Sequence, residues 1–185
     1  MLVVLAIAAI AANAQVEAGF RQGVRVNLGA SNVSGEGDKM TFGYGLGWVA
    51  EYNFSPKFYV QSGLGLENIA HKEEGISGTI NAYYLQLPIH AGYRFELGET
   101  NSLFVQAGPT LGVGLFGSKV DFGGGDEINY FDVAKRFDLG LGGKVGVEFG
   151  KFQVSVGANY GVLQAVKEVD GYHNLTVNAG FTYFF

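Results

Sequence analysis

Apolar and polar side chains alternate along most of this chain. The last twelve residues, NLTVNAGFTYFF at 174–185, carry apolar side chains at every second position from Leu175 to Phe185. The positions between them hold small or polar residues, with Phe184 as the exception. A period of two residues is typical of a β-strand with two different faces, and no helical period competes with it. The segment is therefore predicted to be a strand.

Seven further segments alternate in the same way. They are 20–28, 42–54, 58–67, 83–95, 103–115, 137–149 and 152–162. The connections alternate in length: long, polar, glycine-rich connections at 29–40, 70–78, 117–135 and 163–172 take turns with short ones at 53–56, 96–101 and 149–151. This order predicts an all-β fold, an eight-stranded antiparallel up-and-down barrel with its long connections at one end and its short turns at the other.

The size of the side chains indicates which face of the barrel points inward. An eight-stranded barrel has an interior only just wide enough for side chains, so the face with the smaller residues should line it. That face includes Gly43, Gly45, Gly47, Gly63, Gly65, Gly108, Gly112, Gly114, Gly140, Gly142, Gly146 and Gly157. The bulky apolar face then points outward, which is tolerable in lipid but not in water. The alternative is a soluble lipocalin-like carrier with its apolar face inward.

Aromatic residues of the predicted outward face concentrate at the two ends of the strands. The end with the short turns has Phe20, Tyr52, Phe54, Phe58, Tyr93, Phe95, Phe149, Phe152, Tyr183 and Phe185. The end with the long loops has Phe42, Tyr44, Tyr83, Phe137 and Tyr160. Two aromatic belts around an aliphatic band are typical of a transmembrane barrel. Trp48, near the middle of its strand, does not fit this pattern.

The beginning of the sequence predicts export. A short apolar run is followed by Ala12-Asn13-Ala14, a small-x-small pattern typical of signal-peptide cleavage. We therefore expect a signal peptide at 1–14 and a single barrel domain at 15–185. No Lys or Arg precedes the run, so either the start is truncated or the signal is atypical, and a buried N-terminal helix is the alternative. The chain has no Cys and a net charge of −5, which excludes thiol chemistry and argues against nucleic-acid binding.

The alternation between the two faces of each strand also predicts which charged residues point into the barrel. The predicted interior carries four basic residues and four acidic ones: Arg21, Arg25, Arg94 and Lys144 against Glu51, Glu67, Asp138 and Glu148. Gln86 and His90 join them. Because buried charges are tolerable only when paired, the equal numbers predict a hydrogen-bonded plug and not a water-filled channel. Arg21, Glu51, Arg94 and Glu148 should meet near the rim at the short-turn end and form a mutually paired layer.

These features together resemble a known class of proteins. The eight strands, the Ala14-Gln15 junction, the YYLQLPIHAGYRF strand at 83–95 and the final aromatic residues are similar to small outer-membrane β-barrel proteins of the OmpA/OmpX-like class. The chain more closely resembles the outer membrane protein beta-barrel domain, porin-family or PorT-like, of Bacteroidota. The resemblance implies the outer membrane of a Gram-negative bacterium, with periplasmic termini and extracellular long loops. It also implies that Phe181, Tyr183 and Phe185 form the signal read by the barrel-assembly machinery.

The chemistry of the remaining residues favours a structural or interaction role, as a component of the cell envelope or a subunit of a larger outer-membrane complex. We assign no catalytic residue, no metal site and no cofactor, since His71, His90 and His173 have no suggestive partner in the sequence and 121–127 lacks the ligand spacing of a calcium loop. The expected partners are outer-membrane lipid, lipopolysaccharide, the assembly machinery and, as an open alternative, another outer-membrane protein. A small membrane enzyme or a narrow transporter is the alternative function.

The predicted long loops are rich in acidic residues, which outnumber the basic ones. The acidic residues are Glu36, Asp38, Glu73, Glu74, Asp121, Asp126, Glu127, Asp132, Glu168 and Asp170. A solvated surface explains them, and binding of a divalent cation or a partner is the alternative.

Overall fold

A computed structural model of the protein describes residues 18–34, 39–72, 79–98, 100–121, 127–163 and 173–185. Within these ranges the chain forms ten strands and one short helix. They are β1 Gly19–Ser34, β2 Lys39–Asn53, β3 Phe58–Lys72, β4 Ile80–Glu96, β5 Asn101–Gly117, β6 Lys119–Asp121, β7 Glu127–Asn129, α1 Tyr130–Val133, β8 Phe137–Phe149, β9 Phe152–Gly161 and β10 His173–Phe184.

Eight of the strands close into a barrel. Their order is β1-β10-β9-β8-β5-β4-β3-β2, and β2 pairs with β1 to complete the circle. Every neighbouring pair is antiparallel. The predicted fold class and all eight predicted strands are therefore confirmed. No α-helix in the described ranges is long and apolar enough to cross a membrane.

The strands reach further toward the long-loop end than the alternation predicts. Residues 29–34 and 70–72 were expected in loops, but they belong to β1 and β3, so His71 lies in a strand. The ladder continues there through pairs such as Ser31 with Thr176. The prediction stopped early because polar residues occupy both faces at this end, which removes the hydrophobic period without removing the backbone hydrogen bonds.

The connection at 117–135 contains structure that the sequence pattern did not reveal. The three-residue strands β6 and β7 pair with each other as a small hairpin, and α1 follows directly. Elements of three or four residues are too short to show a hydrophobic period. The helix matters because it carries Tyr130 and Phe131 into buried positions.

The two faces of the wall are those expected of a barrel in lipid. Large apolar side chains such as Phe20, Leu46 and Leu141 are exposed on the outside, whereas Arg94 and Glu51 are among the most deeply buried residues inside. This distribution is inverted relative to a soluble protein, in which charged side chains are almost never fully buried. The structure thus confirms that the apolar face points outward.

The interior also contains bulky aromatic side chains, contrary to the expectation that small residues fill it. Tyr59, Tyr84, Phe104 and Phe184 are buried inside the barrel. Neighbouring glycines provide the room: the Tyr59 ring lies where a Cβ at its cross-strand partner Gly92 would project, and Phe104 lies in the same way against its partner Gly146. The small residues therefore leave space for a few large ones.

A proline explains why Ser62 interrupts the apolar face of β3. The pairing of β3 with β4 passes from Ser62–Ile89 to Gly65–Gln86 and skips Pro88. Proline has no backbone N–H to donate to the ladder. The Ser62 hydroxyl donates a hydrogen bond of 2.8 Å to the Pro88 carbonyl, so this polar side chain is satisfied although it faces outward.

Candidate functional site

Four charged residues form a closed ring inside the short-turn end of the barrel. Arg21 Nε lies 2.7 Å from Glu51 Oε1, and Arg21 Nη2 lies 2.7 Å from Glu148 Oε2. Arg94 Nε lies 3.2 Å from Glu148 Oε2, and Arg94 Nη2 pairs with Glu51 Oε1. Each arginine thus contacts both carboxylates. We call this group (Arg21, Glu51, Arg94 and Glu148) the charged layer.

The charged layer is buried and its remaining polar atoms are bonded. The side chains of Arg94 and Glu148 are each 1% exposed, and that of Arg21, at the rim, is 15% exposed. Arg94 Nη1 donates to Asn53 Oδ1 at 2.7 Å, and Gln153 Nε2 donates to Glu148 Oε2 at 2.6 Å. Such additional hydrogen bonds are what offset the cost of removing ion pairs from water.

Aromatic rings cover both arginines of the charged layer. The Cζ atom of Arg21 lies 3.8 Å from the centre of the Phe184 ring, and that of Arg94 lies 4.0 Å from the centre of the Tyr59 ring. The Tyr59 hydroxyl donates to Gln106 Oε1 at 3.0 Å. Sequence reasoning missed Phe184, although it was the one large side chain on the inward face of its strand. The rings and the ion pairs thus pack against each other inside the lumen at this end.

A cavity of about 60 Å³ lies further along the lumen. Its walls include most of the other predicted interior residues: Arg25, Glu67, Gln86, His90 and Lys144. Arg25 donates to Thr182 Oγ1 at 3.3 Å and also to Gln61 Oε1. Asn27 Nδ2 donates to Glu67 Oε1 at 2.7 Å. We call this space the interior cavity.

The side chains of His90 and His173 contact neutral groups. His90 Nδ1 lies 3.3 Å from Gln106 Nε2, and His90 Nε2 lies 3.4 Å from Thr110 Oγ1. His173 Nδ1 contacts the Gly161 carbonyl at 2.9 Å. A general base needs a partner that orients it and access to a substrate. In the described part of the chain, neither ring is hydrogen bonded to a carboxylate.

Apolar side chains form a buried cluster at the long-loop end of the interior. The buried cluster comprises Ile69, Ile80, Ala82, Tyr84, Tyr130, Phe131 and Ala134. The Phe131 ring lies where a Cβ at Gly114 would project, and Arg136 Cζ lies 4.8 Å from the centre of that ring. Arg136 Nη1 also donates to the Gly114 and Leu115 carbonyls. We call this cluster the apolar cap.

The remaining predicted site residues lie apart from the charged layer. Asp138 is buried near the long-loop end, where it accepts a hydrogen bond of 2.9 Å from Asn174. Phe181 and Tyr183 lie on the outer surface of β10, and Phe185 follows directly after this strand. The centre of the Phe152 ring lies 5.7 Å from that of the Phe181 ring and 5.1 Å from that of the Tyr183 ring.

Some predicted features lie outside the described residues. They are the signal peptide at 1–14 and the acidic residues Glu36, Asp38, Glu73, Glu74, Asp126, Glu168 and Asp170. Of the other loop acids, the side chain of Asp132 is described and exposed. Within the described ranges, no group of three or more acidic, histidine or cysteine side chains is placed to hold a metal ion.

Solved structures with a similar fold are small outer-membrane barrels. Neisserial surface protein A has a TM-score of 0.56 and 16% identity, over 89% of this chain and 97% of that one. The outer membrane enzyme PagL has a TM-score of 0.55 and 12% identity, over 87% and 98%. OprG from Pseudomonas aeruginosa has a TM-score of 0.50 and 13% identity, over 94% and 99%. At these identities the likeness concerns the fold alone.

Sequence comparison gives the family. No curated protein matches the chain. The family model described as "Outer membrane protein beta-barrel domain" matches residues 2–185, nearly the whole chain. With the closed eight-stranded barrel and its apolar outer face, this match places the protein in the outer membrane of a Gram-negative bacterium. The chain belongs to the outer membrane protein beta-barrel domain family.

Proposed function

We propose that this protein is a structural or interaction component of the cell envelope whose barrel does not conduct. The charged layer carries the proposal, because its two arginines and two glutamates contact one another across the lumen and Glu51, Arg94 and Glu148 are almost fully buried there. The apolar cap supports it from the other end. A polar interior by itself is no sign of transport, since such barrels have polar interiors in general.

The energetics favour a permanent closure. The charged layer contains equal numbers of opposite charges in direct contact, and removing one member of a buried pair typically costs about 3–5 kcal/mol. Opening the lumen would require breaking several of these contacts together. The interior is therefore better suited to holding the barrel rigid than to passing a substrate.

With the interior closed, the outer surfaces are where we expect contacts with partners. We propose that the short turns and both ends of the described chain face the periplasm and that the long loops face outside, as in other barrels with short periplasmic turns. Outer-membrane lipid and lipopolysaccharide then surround the wall, and another outer-membrane protein is a candidate partner. Phe181, Tyr183 and Phe185 lie together at the end of β10, where the barrel-assembly machinery could bind them.

We also propose that the protein is not an enzyme. The support is that His90 and His173 are engaged by neutral partners, as described above. The similarity to PagL does not change this, because 12% identity concerns the fold alone.

Conductance in planar lipid bilayers tests the proposal. The purified, refolded protein should give no steady current, whereas a known open porin in the same bilayer should. A stable channel whose ion preference changes in an Arg94→Glu variant would overturn the closed interior and favour the transporter. Identifying the proteins that co-purify from the native membrane would then test the interaction role.

A further inference from the structure

The interior cavity carries more positive than negative charge. Arg25 and Lys144 line it together with a single carboxylate, Glu67. In the described part of the chain, no ion pair within 4.0 Å involves Arg25 or Lys144. The hydrogen bonds of Arg25 go to the neutral side chains of Thr182 and Gln61. The cavity thus has two cations and one anion on its wall.

The neighbouring layers do not supply the missing negative charge. The charged layer is neutral by itself, because it contains two arginines and two glutamates. Each glutamate contacts both arginines. Asp138, the remaining inward acid, is not part of the cavity wall and is bonded to Asn174. Among the described residues, the side-chain hydrogen-bond partners of His90 are the neutral Gln106 and Thr110. An uncompensated charge in so enclosed a place is costly.

Unsatisfied polar atoms on the wall indicate that the interior cavity is occupied. Asn27, Asn159 and Asn178 line it, and the Oδ1 atom of each is buried with no hydrogen-bond donor among the described residues. Asn27 is only 6% exposed. Buried polar groups are normally bonded to protein or to ordered water. A volume of about 60 Å³ accommodates a small ion with a few water molecules.

We propose that the interior cavity binds one small monovalent anion of about the size of chloride. The Lys144 ammonium and the Arg25 guanidinium hold the anion and are neutralised by it together with Glu67. Water molecules beside the anion donate one hydrogen to it and the other to the oxygen atoms of Asn27, Asn159 and Asn178. A single negative charge balances the wall, whereas a divalent anion would reverse its sign.

Thermal unfolding of the refolded protein tests the site. The protein is refolded into detergent micelles in sodium bromide or in sodium gluconate at equal ionic strength, since gluconate is too large for the cavity. The midpoint temperature, read from heat-modifiable migration on gels, should be higher in bromide. Above the dissociation constant, each tenfold increase in bromide should raise the midpoint by the same increment. Crystals grown in bromide should show an anomalous-scattering peak beside Lys144.

Two variants that change the charge of the cavity wall should change the difference between the midpoints in bromide and gluconate in opposite directions. Lys144→Gln removes the excess positive charge, so the difference between bromide and gluconate should disappear. Glu67→Gln leaves both cations uncompensated, so the difference should increase. Lys151→Gln, at an exposed position in a short turn, is the matched control and should respond to bromide as the wild type does.

Three results would overturn the proposal. The first is a wild-type midpoint that is the same in bromide and gluconate, which would mean that water alone fills the cavity. The second is a full bromide response in Lys144→Gln. The third is a smaller response in Glu67→Gln than in the wild type, which would point to a cation held by that carboxylate. If Lys144→Gln does not fold, the comparison of the wild type with Glu67→Gln still tests the proposal.

Discussion

The phenol ring of Tyr59 occupies the space that a side chain at its cross-strand partner, Gly92, would require. The ring in turn lies under the guanidinium of Arg94, with Arg94 Cζ 4.0 Å from its centre. The absence of a side chain on β4 therefore determines the position of a ring from β3, and that ring supports an arginine of the charged layer. The barrel wall and its interior are packed as one unit.

Gly92→Ala should destabilise the barrel because the new methyl group overlaps the Tyr59 ring. Overpacking of this kind typically costs about 1–3 kcal/mol. Urea unfolding in micelles, followed by tryptophan fluorescence of Trp48, measures the change. Gly98→Ala is the matched control, because a Cβ there meets no atom within 4 Å, and its midpoint should stay near that of the wild type. Equal midpoints for the two variants would show that the Tyr59 ring moves aside without cost.

Arg94→Ala should destabilise the barrel more strongly, because it leaves Glu51 and Glu148 with only Arg21 between them. The expected loss is about 3–5 kcal/mol for a broken buried pair, reduced by water near the rim. The same urea titration measures it, with Lys57→Ala in an exposed turn as the control.

A second substitution separates the charge of Arg94 from its bulk. In Arg94→Ala/Glu148→Gln the number of positive and negative charges in the layer is again equal, so part of the lost stability should return. No recovery in the double variant would mean that Arg94 acts through packing against Tyr59 and its hydrogen bond to Asn53, and not through charge.

The alternation of residues between the two faces of each strand predicted which charged residues would share the interior. On a closed barrel, the face on which a residue lies determines whether its side chain points into the lumen or toward lipid. It could not assign the contacts between them. Arg21 and Glu148 come from strands that do not pair with each other, and they are 127 residues apart. The lumen diameter and the lengths of the side chains determine that contact, and the alternation pattern of a single strand predicts neither.

The roles of Phe184 and Phe131 were hidden for different reasons. Phe184 appeared as an error in the alternation, but it is buried, 2% exposed, and covers Arg21. An exception to a strand pattern is thus a useful signal for an interior residue. Phe131 belongs to a one-turn helix within a long connection, where no period exists to be read. The position of its ring depends on the space left by Gly114 of β5.

Limited proteolysis of intact cells should cut the protein first within 117–135. This connection lies at the long-loop end, which we propose faces outside, whereas 96–101 connects β4 and β5 at the opposite end. Fragment sizes on a gel, confirmed by mass spectrometry, locate the cut. Permeabilised cells serve as the control, because both ends are then accessible. Cleavage at 96–101 in intact cells would reverse the proposed orientation.

Phe185→Asp should lower the amount of folded barrel in cells far more than it lowers stability in vitro. Phe185 is 58% exposed on the outer surface, and burial of one aromatic side chain contributes only roughly 1.5–3 kcal/mol, a loss that a closed barrel should survive. Loss of a signal for the assembly machinery acts earlier, before the barrel exists. Heat-modifiable migration reports the folded fraction in outer-membrane preparations, and urea titration of refolded protein reports stability.

Phe54→Asp is the matched control for this experiment. Phe54 is 64% exposed, it also faces outward at the short-turn end, and it lies in the turn between β2 and β3. If lipid contact is all that matters, both variants should lose similar amounts of folded protein in cells and similar stability in vitro. If β10 carries the signal, the stability losses should still be similar, but only Phe185→Asp should be scarce in the membrane. Normal cellular levels of folded Phe185→Asp would count against a role for this residue in assembly.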